Sequence, residues 1–134
     1  MILIDAGPQV ALIDADDQHH EICAGTLKNL REPLGTVWPA FTEAMYLLND
    51  LPSGQDGLWQ MVLRGAIEIL PLAPRDLPRI RELMRKYSDL PMDLADAALV
   101  AVAERDHLQT VFTIDKKDFA VYRLHGRSRL RIIP

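Results

Sequence analysis

Asp93-Leu-Ala-Asp96-Ala-Ala-Leu-Val-Ala-Val-Ala103 and, a few residues further on, Val111-Phe-Thr-Ile-Asp115 decide how this chain reads. The first stretch is apolar nearly all round at helical spacing, which marks a helix buried on every side. The second is a short apolar run closed by an acid, the form of a buried strand. A buried helix feeding a buried strand is the crossover unit of a parallel sheet.

Working outward, the same reading predicts strands at Ile2-Leu3-Ile4, Thr36-Val37-Trp38, Ile67 to Leu70 and Leu130 to Ile133. A short helix is expected after Gly7-Pro8, where proline suits a first turn. Longer helices are expected from Gln18 to Leu30, Pro39 to Asn49, Ser53 to Arg64, Asp76 to Tyr87 and Asp93 to Arg105. The helix from Asp76 is amphipathic: Leu77, Ile80, Met84 and Tyr87 follow one face, while Arg79, Arg81, Glu82, Arg85 and Lys86 take the other. Strands alternating with helices give an α/β fold, a mostly parallel sheet covered on both faces. Ligands of such sheets gather at the carboxyl ends of strands near a topological switch point.

At 134 residues the chain is expected to form one domain, residues 1–134. Its 49% hydrophobic and 25% charged content excludes a disordered segment and a membrane protein. No apolar run approaches the ~18 residues of a membrane span, and no basic segment leads into an apolar one at the start. The lone Cys23 cannot form an internal disulfide, and a cytoplasmic protein is expected. Net charge is −4, yet the segment from Lys116 onward carries +5 and the remainder −9. A basic tail on an acidic body suits a local polyanion contact as well as it suits a solvated terminal strand.

Four acids stand in apolar company. Asp5 closes Ile2-Leu3-Ile4, Glu43 is the only charge between Trp38 and Leu48, Asp96 lies inside the apolar helix, and Asp115 closes the run from Val111. Each has a local reading: Asp5 and Asp115 can open turns, and Glu43 and Asp96 suit a helix amino terminus. Taken together, however, topology delivers all four to one edge of one sheet. At ~4 Å a like-charged pair costs about 1 kcal/mol in water and about 4 at an effective dielectric of 20. Lys116 and Lys117 follow Asp115, but no Arg or Lys adjoins Asp5, Glu43 or Asp96 in sequence, whereas a divalent cation would relieve all four. All-oxygen ligation favours Mg2+ or Mn2+ over Zn2+, and neither Cys23 nor His19-His20 has zinc-site spacing.

These residues resemble the PIN domain, and within it the small stand-alone VapC-type ribonuclease toxins. The likeness rests on Ile2-Leu-Ile-Asp5, Thr42-Glu43, Asp93-Leu-Ala-Asp96 and Phe112-Thr113-Ile-Asp115-Lys-Lys-Asp118-Phe119, taken in order. It implies a Rossmann-like, three-layer domain with five parallel strands in the order 3-2-1-4-5. It also implies Mg2+- or Mn2+-dependent cleavage of RNA phosphodiesters, restrained by a small antitoxin. The family's four acids fall on Asp5, Glu43, Asp96 and Asp115. Ala6 stands where a hydroxyl residue often follows the first Asp, and Asp93 and Asp118 are additional acids near the site.

Asp5 and Asp96 are expected to hold the principal ion, with Glu43 and Asp115 supporting it or recruiting a second. Thr113 is a candidate hydrogen-bonding group behind them. Lys116 and Lys117 are placed to meet phosphates, and Arg127, Arg129 and Arg131 share a face if that segment is extended. Apolar residues around Leu47-Leu48 and Trp59–Met61 suggest a face for an antitoxin or for a second copy in a homodimer. The alternative function is a catalytically degenerate PIN-like module that binds RNA or protein without cutting. Phosphatase and receiver-type sites on related sheets lack their acids here, since Gly7 stands where the former needs a second Asp.

Overall fold

Successive residues of an extended strand point to opposite sides of a sheet. In β1 (Ile2–Ile4), Ile2 and Ile4 enter one core and Leu3 enters another, which demands cover on both faces. The computed structural model, which describes every residue from Met1 to Pro134, supplies that cover. β2 (Leu34–Thr36), β3 (Ile67–Ile69), β4 (Thr110–Phe112) and β5 (Arg131–Ile133) complete a parallel sheet in the order β3-β2-β1-β4-β5. The order expected from the family resemblance is therefore the one observed.

The helices are α1 (Ala6–Ile13), α2 (His20–Asn29), α3 (Trp38–Leu47), α4 (Pro52–Leu63), α5 (Leu77–Lys86), α6 (Leu94–Asp106) and α7 (Lys116–Val121). Residues of α1, α2 and α4 join Ile2 and Ile4, whereas α5, α6 and α7 cover Leu3 and Val111. α3 contributes to both cores, through Ala40 on one side and Phe41 and Ala44 on the other. The apolar reading of α6 holds: every residue from Ala95 to Glu104 is buried. Its alanines let α5 approach closely on one side and α3 on another.

Two expectations need correction. The second strand runs Leu34–Thr36, and Trp38 opens α3. Pro39, with no N–H to give a sheet ladder and φ already helical, claims the first turn of α3 and draws Trp38 with it. The strand takes in Gly35, a poor strand former, because a Cβ there would lie 2.6 Å from Met1 Sδ and 3.1 Å from Leu70 Cδ1. The second concerns the local reading of Asp115 as the start of a turn: Asp115 is instead the residue before the first turn of α7, a helix not anticipated from the sequence.

The chain passes from β1 to β2 to β3 on one side, then returns across β1 to β4 and β5. The switch point therefore lies between β1 and β4, whose carboxyl ends lead directly into Asp5 and Thr113–Asp115. No helix is long and apolar enough to cross a membrane.

Candidate active site

Asp5 caps α1: its Oδ1 accepts from the Ala6 N–H at 2.8 Å. Its Oδ2 accepts from the Thr113 hydroxyl at 2.9 Å, and the same hydroxyl oxygen accepts from the Asp115 N–H at 3.0 Å. Thr113, fully buried, thus ties the ends of β1 and β4 together and fixes one acid from each. A neighbouring pair tightens the β1–β2 side, where Gln9 Nε2 donates to Thr36 Oγ1 and Thr36 Oγ1 donates to the Ile4 carbonyl.

Across the edge, Asp93 caps α6 and accepts from the Asp96 N–H at 2.8 Å. Asp96 lies in the first turn, where the helix dipole favours negative charge. Its Oδ2 accepts from the buried Tyr122 hydroxyl at 2.8 Å. Tyr122 follows α7 and packs edge-on against Phe119 and Tyr87. Sequence reasoning missed this tyrosine. It lies one residue beyond α7, a helix of six residues too short to declare a period in the sequence.

Carboxylate oxygens of Asp96, Asp115 and Asp118 lie within 4.8 Å of one another, the closest grouping at this edge. Asp118, expected only as an additional acid, is thereby in the tightest trio. Asp5 lies close enough that its charge acts on Asp96 and Glu43, and Asp93 acts on Asp5, Glu43, Asp96 and Asp115. Asp5 and Asp96 are buried, Asp118 is half-buried, and Glu43, Asp93 and Asp115 are exposed.

The electrostatics carry the same message. Burial pushes Asp96 up to about 8, against an ordinary 3.8, and the neighbouring carboxylates add to it although the Tyr122 hydrogen bond opposes. Burial also raises Asp5, with Asp93 and Asp115 contributing. Glu43 is raised by burial and then by Asp93 and Asp5; Asp115 is raised by burial and then by Asp118.

The other two buried acids provide an internal contrast. Glu104 receives both Nε and Nη2 of Arg79 at 2.8 Å, and the His125 N–H besides. Burial alone would raise Glu104, yet these donors bring it below its ordinary value. Asp76 receives Arg105 Nη1 at 2.8 Å. None of the chain's ion pairs involves Asp5, Glu43, Asp93, Asp96, Asp115 or Asp118. Where this protein buries an acid for structural purposes it supplies a guanidinium, and at the switch point it does not. An all-oxygen donor set with unrelieved charge fits a hard divalent cation.

Lys116 and Lys117 are exposed in the first turn of α7, directly beside Asp115. The stripe expected from Arg127, Arg129 and Arg131 does not form. Arg127 lies in a turn closed by the Leu124–Ser128 bridge, and only Arg131 is in β5. Arg131 pairs with Thr110 at the amino end of β4, and Ser128 faces His107–Gln109. The turn chemistry of Leu124-His-Gly126-Arg, with positive φ at His125 and Gly126, breaks the extended run that the stripe required. Arg131 therefore lies at the amino ends of the strands, away from the carboxylates. Of the expected apolar face, Leu47 and Trp59 are exposed and Met61 is half-buried, whereas Leu48 belongs to the core.

Comparison with known proteins follows this geometry. The chain is 27% identical to "Ribonuclease VapC26" of Mycobacterium tuberculosis, covering 99% of this chain and 100% of that relative. Its fold resembles VapC20 of M. tuberculosis, described as a sarcin–ricin-loop-cleaving toxin, with a TM-score of 0.79 at 16% identity over 87% of this chain and 91% of that one. A chain of a toxin–antitoxin complex from Klebsiella pneumoniae matches with a TM-score of 0.71 at 18% identity, covering 100% of this chain and 97% of that one. The PIN domain model matches residues 2–124. Sheet order, switch-point acids and this match agree, and the chain belongs to the PIN domain family.

Proposed function

We propose that this protein is a divalent-metal-dependent endoribonuclease, the toxin of a toxin–antitoxin pair acting in the cytoplasm. The observation that carries the proposal is the contrast just described: six acids at the switch point, none of them in an ion pair, against two buried acids elsewhere that each hold an arginine. The relatives named as a ribonuclease and as toxins support the substrate class and the biological role.

Asp96, Asp115 and Asp118 are the residues we assign to hold Mg2+ or Mn2+, with Asp5 and Glu43 completing the negative field around them. The cation, when bound, supplies Lewis-acid polarisation of a phosphoryl oxygen and of the attacking water. The rest is done by the chain. Thr113 and the Ala6 N–H hold the Asp5 carboxylate in one rotamer, and Tyr122 does the same for Asp96. Asp96, pushed up to about 8, would carry a proton at neutral pH and would have to give it up to act as a ligand. Asp115 and Glu43, being exposed, are the carboxylates that meet solvent and substrate. Lys116 and Lys117 lie beside Asp115, where they would draw the flanking phosphates towards an otherwise acidic edge. Exposed Leu47 on α3 and Trp59 and Leu63 on α4 are the apolar residues we assign to antitoxin contact or to a second copy.

The test is cleavage of labelled RNA by wild type and Asp96→Asn, with Mg2+, with Mn2+ and with chelator. Cutting by wild type that needs the metal and disappears in the variant supports the proposal. Binding of RNA with no cutting under any metal would instead support the degenerate, non-cleaving module.

A further inference from the structure

The largest cavity of the molecule, about 750 Å³, adjoins the carboxylates and shares Glu43 and Asp93 with them. It runs between α3 and the start of α6. Pro39, Thr42, Glu43 and Tyr46 line it at i, i+3, i+4 and i+7, a single stripe of α3. Asp93 and Leu94 form the opposite wall, and Trp38 stands at the end nearest the sheet. Such a size lies within the roughly 300–1,000 Å³ of small-ligand sites. Its aromatic rings are open: Trp38 is 51% exposed and Tyr46 71%, with Leu94 51% exposed across from them. Phe41 meets Trp38 edge-on with centroids 5.8 Å apart, which supports the indole from behind.

Glu43 and Asp93 belong to both the groove and the acidic cluster, so a ligand filling the groove can extend to the carboxylates. Charge then discriminates between occupants. A phosphate lying in the groove itself would face these two carboxylates. A second copy related by twofold symmetry, or an apolar helix from another protein, would bury them with no cation to meet them. A nucleotide separates its functions: the anionic phosphate goes to the cluster, and an uncharged flat base goes to the rings. Trp38 and Tyr46 lie ~12 Å apart along α3, so each offers its own face rather than jointly clamping one ring.

We propose that this groove is a nucleobase-stacking subsite, in which Trp38 and Tyr46 take unpaired bases of single-stranded RNA next to the phosphate held at the carboxylates. This assignment rests on the ribonuclease reading for the identity of the polymer. Stacking on an aromatic ring is tolerant of base identity and demands only that the base be splayed out of a helix. The groove therefore selects for unpaired RNA rather than for a sequence.

The experiment measures binding of a labelled, unstructured RNA in Ca2+ by fluorescence anisotropy, for wild type and for Trp38→Leu/Tyr46→Ala. The same RNA is also made with one abasic nucleotide, moved through each position. Wild type is expected to lose about 5- to 150-fold in affinity at one or two abasic positions. The double variant should lose a similar factor on intact RNA and show no abasic dependence. Tyr46→Ala alone, at the most exposed ring, gives part of the same loss without a risk to folding. A flat abasic scan in wild type overturns the proposal, as does an equal abasic penalty in both proteins. So does a double variant that changes from dimer to monomer in sedimentation while binding RNA normally, which assigns the groove to a second copy. Cleavage is scored apart from binding. A wild type that discriminates abasic RNA yet cuts none with Mg2+ or Mn2+ refutes the nuclease reading and leaves the groove. One that cuts intact and abasic RNA with the same KM refutes the groove alone.

Discussion

Replacing Asp96 by Asn should make the cation-free protein more stable while removing its activity. Burial pushes Asp96 up to about 8 in the folded chain, against 3.8 when exposed. At about 1.4 kcal/mol per pH unit, that difference sets a ceiling of roughly 6 kcal/mol on the cost of ionising it in the folded chain. The realised figure is smaller. Asp93 and Asp115 are exposed and can turn away, and Asn forfeits the helix-dipole interaction of about 0.3–1 kcal/mol. A gain of about 1–3 kcal/mol remains, or roughly 3–10 °C in Tm for a chain of this size. The sign follows from proton counting. Between about pH 4 and 8 the folded state binds more protons at Asp96 than the unfolded state, so wild-type stability falls as pH rises through that window. The advantage of Asp96→Asn should be small at pH 4 and largest near pH 8, measured by urea unfolding in chelator. Saturating Mg2+ should reverse the order, since binding at 1,000 times Kd stabilises only the wild type, by about 4.1 kcal/mol. A variant that is destabilised equally at both pH values, with and without Mg2+, would show that the Asp96 charge is already compensated and would refute the reasoning.

Three further outcomes are expected. Tyr122→Phe keeps the ring packing but removes the donor to Asp96 Oδ2, so Mg2+ affinity should fall about 10- to 100-fold with little change in Tm, as isothermal calorimetry can read. Adding Mg2+ to a weakly buffered solution near pH 7 should release protons, detectable by indicator dye, and Asp96→Asn should release markedly fewer. Arg79→Met leaves Glu104 buried without its guanidinium and should cost about 2–4 kcal/mol in urea unfolding, with Mg2+ affinity unchanged in the folded protein.

Much of this was legible in the sequence because burial on both sheet faces leaves a strong trace. Ile2-Leu3-Ile4 and the run through Val111 have no polar alternation, and α6 has no polar face, so the parallel sheet and its central helix follow directly. The acids closing those runs pointed to a candidate site because ligands of a parallel sheet gather at the carboxyl ends of its strands. What escaped was set by tertiary contacts. Gly35 lies in a strand because Met1 and Leu70 leave no room for a side chain, which propensity alone opposes. α7 is too short to declare a period, so Asp118 and Tyr122 could not be placed on its inner side in advance. The arginine stripe failed because a turn at His125-Gly126 interrupts the segment, and Leu48 read as exposed because its neighbours Leu47 and Tyr46 are. Nor does a sequence reveal which acids will find an arginine: Glu104 and Asp76 acquire theirs from residues 25 and 29 positions away.

The central claim is that the switch-point carboxylates await a hard cation, and Mn2+ binding followed by electron paramagnetic resonance addresses it most directly. The account predicts loss of the free-ion signal on adding wild-type protein, competition by Mg2+, and recovery of the signal when Asp96→Asn replaces wild type. A free-ion signal undiminished by wild type, or diminished equally by the variant, would contradict it.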